Sequence, residues 1–231
     1  MTDMLLSPDT VYKDKKIIVV KKPVGIPSQS DPSGDEDLMT LTSRRLSELG
    51  EDSHLWLIHR LDRNVGGFIV FARSKAVAAE LSSLVADGKL RKHYFAVCDG
   101  ICEGGEYVDF LFKDSVTGKA YVVNSSRRGA KKAILTAAPL ATCEGKTLLL
   151  IELKTGRFHQ IRAQLSSRGF SLSGDKKYGS RDAAAKTPAL FACGLGFDLG
   201  GREMSFNLLP PVNEYPWSLF DSEFYRFGES E

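Results

Sequence analysis

The sequence predicts an α+β fold with a mixed, largely antiparallel central sheet and flanking helices. Three observations predict it. Short β-branched and aromatic segments follow one another with hairpin-length turn signals between them. A few amphipathic helical patterns are interspersed among these strands, without the regular strand–helix alternation of a parallel sheet. Of the 231 residues, 42% are hydrophobic and 10% aromatic, enough to bury the core of one large domain.

Taken in order, KIIVV (16–20) is short and β-branched and predicts a buried strand ending at Lys22-Pro23. VGIPSQSDPSGDED (24–37) is rich in Gly, Pro, Ser and Asp, the composition of a loop. LMTLTSRRLSELG predicts a helix with Leu38, Leu41, Leu46 and Leu49 on one face and Gly50 as its stop. HLWLIHRLD reads as an apolar strand delivering a polar cluster, and GFIVFARS as the next strand. Ser74 caps a predicted helix through Ala86, with Val77, Leu81, Leu84 and Val85 inward and Gly88 at its end. RKHYFAVCDG, YVDFLFKD, KAYVV, KKAILTAAPLATC and KTLLLIELKTG are strand-like in succession. A helix is predicted from near Arg157 to Gly169, then a loop at GDKKYG and a strand at ALFACGLGFDL. No repeat, low-complexity segment or linker interrupts the chain, so one domain over residues 1–231 is the simplest organisation.

Charge and cysteine usage narrow the class. Charged residues make up 26% of the chain, which excludes wholesale disorder. The formal net charge is only +2, but its distribution is uneven. Residues 1–213 hold 30 basic and 24 acidic residues, a net +6, while 214–231 form an acidic segment expected to be a solvated terminus. Cys98, Cys102, Cys143 and Cys193 provide no paired CxxC or Cys/His ligand set, so no metal site is expected. The first residues, MTDMLLSPDT, lack a signal-peptide pattern, and no apolar run approaches the ~20 residues of a membrane span. A soluble cytoplasmic protein in a reducing setting is the expectation.

Three clusters could carry chemistry. In HRLDRNVGG (59–67), Asp62 would stand at the end of an element, with Arg60 nearby and Gly66-Gly67 allowing close backbone approach. A surface Asp–Arg pair and a turn would use the same residues. In GRFHQIRAQLSSRG (156–169), helical spacing puts Arg157 and Ile161 on one face and Phe158, Arg162 and Leu165 on another. An amphipathic helix with a basic side would look the same. In RKHYFAVCDG (91–100), Tyr94 follows Lys92 by two, which is equally the mark of a packed strand tyrosine.

Order and spacing decide among these readings. The opening strand with KP-G occurs as IIVVKKPVGIP (17–27), HRLD is intact at His59 to Asp62, and Lys92, Tyr94 and Ala96 form a Lys-x-Tyr-x-Ala strand. GR-HQIR occurs at Gly156 to Arg162 and GD--YG at Gly174 to Gly179. With five motifs in this order across nearly its whole length, the sequence resembles the RluA-type pseudouridine synthases. The resemblance implies a central sheet in two half-sheets around a catalytic cleft. It implies Asp62 as the essential aspartate, Tyr94 lining the base pocket, Arg162 paired with the nucleophile, and Arg60 entering the RNA stack where the target base leaves.

The implied chemistry suits these side chains. Pseudouridine formation breaks N1–C1′, turns the base and joins C5 to C1′; nothing is oxidised or lost, so no cofactor is expected. A carboxylate is ionised at neutral pH and needs no general base; Arg162 would keep it charged and aimed. Attack at ribose C1′, assisted glycal formation and attack at uracil C6 all remain open. Tyr94 can stack on uracil and present a hydroxyl for proton movement. Extruding a helical uridine costs a few kcal/mol, which an inserted Arg60 would partly offset.

RNA contacts are expected from Arg127, Arg128, Lys131 and Lys132, placed in a loop between two strands, and from Lys89, Arg91 and Lys92. His59, Arg157, His159, Gln160, Lys176 and Lys177 complete the expected RNA-facing set. Two departures stand out: Val65, Gly66 and Gly67 occupy the places of a Thr-Ser-Gly run after HRLD, and Gln164 stands where a histidine often follows GR-HQIR. They leave Asp62, Tyr94 and Arg162 in place and bear on substrate choice. About fifteen residues precede the first predicted strand, too few for an N-terminal S4 RNA-binding module, so a monomer acting on a local stem-loop of tRNA or 23S rRNA is expected. A protein kinase is excluded because neither a GxGxxG loop nor DFG accompanies HRLD. The rivals are a non-catalytic RNA-binding or RNA-folding protein on the same scaffold and a hydrolytic nucleoside glycosidase.

Overall fold

The computed structural model describes residues 9–226. The acidic residues Glu229 and Glu231 of the expected terminal segment lie outside the described residues, as do residues 1–8. The fold is α+β with a large, mostly antiparallel sheet structure and few helices, as expected. The chain divides into two compact units, one comprising the chain through Leu90 with Leu195–Leu208, the other Arg91–Gly194 with the chain from Leu209 onward.

In the first unit the strand order is β1 (Asp9–Lys13), β2 (Ile17–Lys22), β4 (Gly66–Ala72) and, from Leu195 on, β10 (Leu190–Leu199). The two-residue β3 (Trp56–Leu57) pairs with β4, and β11 (Arg202–Asn207) with β10. The run Ile17-Ile18-Val19-Val20 is at most 1% exposed, so both of its faces are covered. That accounts for a continuous apolar run instead of an alternating one. Ile17, Val19, Phe68, Val70, Leu81, Leu195 and Phe197 pack in one core. Helix α1 (Leu38–Glu48) begins at Asp37, whose carboxylate accepts from Thr40 N at 3.0 Å. It buries Leu38, Leu41 and Leu46; Leu49, expected inward, is 54% exposed because the helix ends at Glu48. Helix α2 (Lys75–Ala86) is capped by Ser74 as expected and buries Leu81.

In the second unit β10 is followed in order by β5 (Arg91–Asp99), β9 (Lys146–Leu153), β8 (Lys131–Cys143), β6 (Gly105–Asp114) and β7 (Lys119–Val123), with antiparallel neighbours from β5 to β7. Helix α3 is shorter than its periodicity suggests, running only Gln160–Ser166. His159 has φ +50°, ψ +29°, a left-handed conformation that breaks the helical path. Arg157 and Phe158 therefore precede the helix and share no helical face with Ile161 or Arg162.

Strands β1 and β11 carry too few apolar residues to stand out in the sequence. The segment from Glu214 also departs from a purely solvated tail. Glu214, Asp221 and Glu223 are exposed. Trp217, Phe220 and Tyr225, however, are 5%, 7% and 1% exposed. Tyr225 donates to Trp217 O at 2.7 Å and meets Phe95 of β5 edge-on at 5.1 Å.

Candidate active site

In the first unit HRLD is not a strand but a loop leading into β4, and backbone partners hold it in place. Ser28 Oγ accepts from Leu61 N at 3.0 Å and donates to Leu61 O at 2.9 Å, stitching HRLD to the Gly/Pro-rich loop. Asp62 O accepts from Val65 N at 3.0 Å, closing a turn. Arg63 O accepts from Gly25 N and from Lys22 Nζ, each at 2.9 Å. Leu61 and Val65 are buried, Asp62 is half-buried between them in sequence, and Arg60 is exposed. His59 Nε2 accepts from Val70 N at 3.3 Å, so its ring braces β4. Gly66 and Gly67 begin β4 as buried strand residues, and Gly67, with φ +121°, pairs with Lys22.

Lys22 organises this loop, and no role was attached to it on sequence grounds. Its side chain is 0% exposed, and Nζ donates to the carbonyls of Pro23 at 3.0 Å, Ile26 at 2.6 Å and Arg63 at 2.9 Å. Burial pushes the ammonium down to about 7, the Asp62 carboxylate raises it, and Arg63 adds to the lowering. Three carbonyls match the three N–H bonds of the charged form; a neutral amine has only two. In its charged form Lys22 therefore fixes the turn around Asp62, within electrostatic reach of that carboxylate, while burial works against the charge.

In the second unit Lys92, Tyr94 and Ala96 share one face of β5 by strand alternation. Tyr94 is 6% exposed. Lys92 is 8% exposed, and burial together with nearby Arg157 lowers its pKa. Arg162, 7% exposed on α3, meets Asp175 with a two-pronged fork, Nε to Oδ2 at 2.7 Å and Nη2 to Oδ1 at 2.9 Å. The guanidinium carbon lies 4.9 Å from the Tyr178 ring centroid. Both partners belong to the GD--YG segment, which was visible as a motif but had no assigned task. The Tyr178 hydroxyl accepts from Ala120 N at 2.7 Å and lies 3.0 Å from His159 Nδ1. His159 in turn stacks on Phe158, with centroids 3.8 Å apart.

Gln160 is 3% exposed and its amide is engaged inside the protein. Oε1 accepts from Thr155 Oγ1 at 2.8 Å and Arg157 N at 3.0 Å, while Nε2 donates to Ile134 O at 3.0 Å. It shapes the turn into α3. Arg127, Arg128, Lys131, Lys132, Arg157, Lys176 and Lys177 are exposed. Arg127 and Arg128 lie in the connection from β7 to β8, but Lys131 and Lys132 are the first residues of β8. Arg127 stacks over Phe112 at 3.9 Å, and Arg157 Nε donates to Lys132 O at 2.9 Å. Gln164 is wholly buried, donating to Asp109 Oδ2 at 2.7 Å and Tyr107 O at 3.2 Å.

Comparison with known proteins identifies the family and the fold. A family model described as RNA pseudouridylate synthase matches residues 16–167. A ribosomal large subunit pseudouridine synthase D from Zymomonas mobilis is 29% identical, over 88% of this chain and 69% of that protein. A tRNA pseudouridine synthase C from Vibrio parahaemolyticus is 28% identical, over 74% of this chain and 73% of that one. Among solved structures, human RNA Pseudouridylate Synthase Domain Containing 1 superposes with a TM-score of 0.76 at 19% identity, covering 90% of this chain and 85% of its own. Human RNA Pseudouridylate Synthase Domain Containing 4 gives 0.73 at 22% identity, covering 91% of each chain. These two likenesses establish the fold, and the family model extends over well more than half the sequence. The chain belongs to the RNA pseudouridylate synthase family.

Proposed function

We propose that this RNA pseudouridine synthase uses Asp62 as its nucleophile on a uridine in a stem-loop of tRNA or large-subunit ribosomal RNA. The reaction is the isomerisation of uridine to pseudouridine in RNA. The observation that carries the nucleophile is the HRLD turn itself. It is pinned from both sides by Ser28 and Lys22 and presents a half-buried carboxylate next to an exposed arginine. Such bracing is what a reacting group needs, because a loosely held nucleophile loses the benefit of orientation.

In this reading Asp62 either attacks ribose C1′ as N1–C1′ breaks or promotes loss of the C2′ proton to give a glycal. C5 of the turned uracil then bonds to C1′, releasing Asp62 or restoring the C2′ proton, and the C5 proton leaves as N1 gains one. Arg162 is its counter-charge, Tyr94 stacks on the uracil and handles a proton, and Arg60 fills the gap left by the extruded base. The exposed cations Arg127, Arg128, Lys131, Lys132, Arg157 and Lys177 contact phosphates. Lys92 and Gln160, being buried, support the site from within. His59 and His159 brace β4 and the GD--YG segment. The choice between tRNA and large-subunit rRNA is supported by the names of the relatives alone, which include both. A cytoplasmic monomer fits those substrates; among the described residues no helix is long and apolar enough to cross a membrane.

Asp62→Ala should abolish pseudouridine formation on RNA from a strain lacking the gene while leaving RNA affinity within a few-fold. If wild-type protein restores pseudouridine and Asp62→Ala does so equally well, Asp62 is not the nucleophile. If wild type restores none, the RNA-binding reading replaces the catalytic one for these substrates. A transcriptome-wide pseudouridine map of deletion against parent strain identifies the target.

A further inference from the structure

We propose that Asp175 is a positioning residue that sets the orientation of the Arg162 guanidinium for catalysis; this rests on the reading of Arg162 as a site residue. Asp175 is 1% exposed and meets Arg162, 7% exposed, through the Nε and Nη2 edge at 2.7 and 2.9 Å. A planar guanidinium held along one edge has its direction fixed, and its Nη1 side is turned away from the carboxylate that holds it. The guanidinium carbon also lies over the Tyr178 ring, 4.9 Å from its centroid. The fork and the ring contact thus both come from one short segment, Asp175–Tyr178.

That segment is itself rigidly tied to its unit. Asp175 N donates to Leu172 O at 2.9 Å, and Asp175 O accepts from Ser180 N at 3.1 Å. Gly174 N donates to Ser180 Oγ at 3.1 Å, and the same hydroxyl donates to Asp99 Oδ2 at 2.7 Å. Asp99 and Asp182 each contact Lys146 at 2.7 Å, and Ser173 Oγ donates to Asp99 Oδ1 at 2.8 Å. A buried carboxylate on so braced a loop does more than neutralise charge. Neutralisation alone would not require a two-pronged geometry, whereas orienting an arginine does.

The test separates turnover from binding. Asp175→Asn keeps the size of the side chain but replaces one acceptor oxygen with a donor, so the fork is lost. Single-turnover pseudouridine formation should slow by about 10- to 100-fold, with RNA Kd within about two-fold of wild type. In an Arg162→Met background Asp175→Asn should cause little further slowing, because the two residues act as one unit. A slowing equal in both backgrounds, or a loss of RNA affinity matching the loss of rate, overturns the proposal in favour of a general structural role. If Asp175→Asn does not fold, Arg162→Lys carries the test: it keeps the charge without the fork and should show the same split between rate and affinity, while wild-type turnover overturns the proposal. An Arg162→Met enzyme with wild-type rate overturns the assignment of Arg162 itself. A slow Arg162→Met beside an unaffected, folded Asp175→Asn overturns only the role of Asp175.

Discussion

Gly174→Ala tests whether the segment that holds Asp175 depends on close backbone packing. Gly174 has φ +78°, and a Cβ there would lie 2.4 Å from Thr187 O, 2.8 Å from Ala185 O and 2.8 Å from Ala185 Cβ. The left-handed conformation alone costs an L-residue ~1–2 kcal/mol. The contacts are with backbone oxygens and a methyl that cannot rotate away, so the strands of loop must part by about an ångström, an overpacking cost of ~1–3 kcal/mol. Parting also strains Ala189 N→Ser173 O, 2.9 Å, and Gly174 N→Ser180 Oγ, 3.1 Å. The total is about 2–5 kcal/mol. Gly179→Ala is the matched control: φ is +101°, but the nearest atom to its Cβ is Ser171 Oγ at 3.4 Å, so only the conformational cost applies. Urea unfolding should place the Gly174→Ala midpoint below that of Gly179→Ala by about 0.3–1.5 M, for a slope of ~2–3 kcal/mol per M. Because Asp175 follows directly, Gly174→Ala should also lose turnover. Coincident midpoints for the two variants would refute the packing argument.

Replacing Lys22 with Met should make stability less dependent on pH between about 7 and 10. The unfolded chain keeps that proton up to the ordinary lysine value of 10.5, whereas the folded chain gives it up near 7. The wild type therefore gains stability relative to Lys22→Met as pH rises, by at most ~1.4 kcal/mol per unit, and parallel curves from thermal melts would contradict this. Changing Arg127, Arg128, Lys131 and Lys132 together to Gln should flatten the slope of log K against log salt by up to ~3, with an unchanged slope removing them from the RNA interface. Lys146→Met leaves Asp99 and Asp182 without their shared cation. Stability at pH 7 should fall by about 2–3 kcal/mol, less than for a wholly buried pair because Asp99 is 31% exposed, and a denaturation midpoint within error of wild type would count against the network.

Much of the fold was legible because its strands are apolar and its turns carry recognisable residues. Strand β2 is visible in the run Ile17–Val20 since a strand covered on both faces needs no polar alternation. Helix α2 is visible through Ser74 and Gly88, which mark its two ends. The misread portions share a physical cause. Leu49 has the right spacing for the buried face of α1, but periodicity does not reveal that the helix stops one residue earlier. Arg157 and Phe158 likewise fit a helical pattern that His159 interrupts by adopting φ +50°, a conformation imposed by the turn in which Gln160 receives Arg157 N. The buried Trp217, Phe220 and Tyr225 sit among exposed acids, so net charge concealed their packing.

The proposed reacting residues could be picked out because they lie inside contiguous motifs, whereas the residues that hold them come from elsewhere in the chain. Ser28 reaches Leu61 across 33 positions and Lys22 reaches Arg63 across 41. Asp175 reaches Arg162 across 13 positions, from a loop after a helix. In each case a short polar or charged side chain meets backbone or guanidinium groups whose identity the local sequence does not encode. The same separation explains why KP-G and GD--YG accompany HRLD and GR-HQIR. Lys22 of the first segment ties one carbonyl of the Asp62 turn, Arg63 O, to two carbonyls of its own segment, Pro23 O and Ile26 O, and Asp175 of the second supplies the carboxylate that the Arg162 fork requires. A motif without side chains suited to react with uridine can therefore be as necessary as the one that bears the proposed nucleophile, because an aimed charge is worth far more to a transition state than a mobile one.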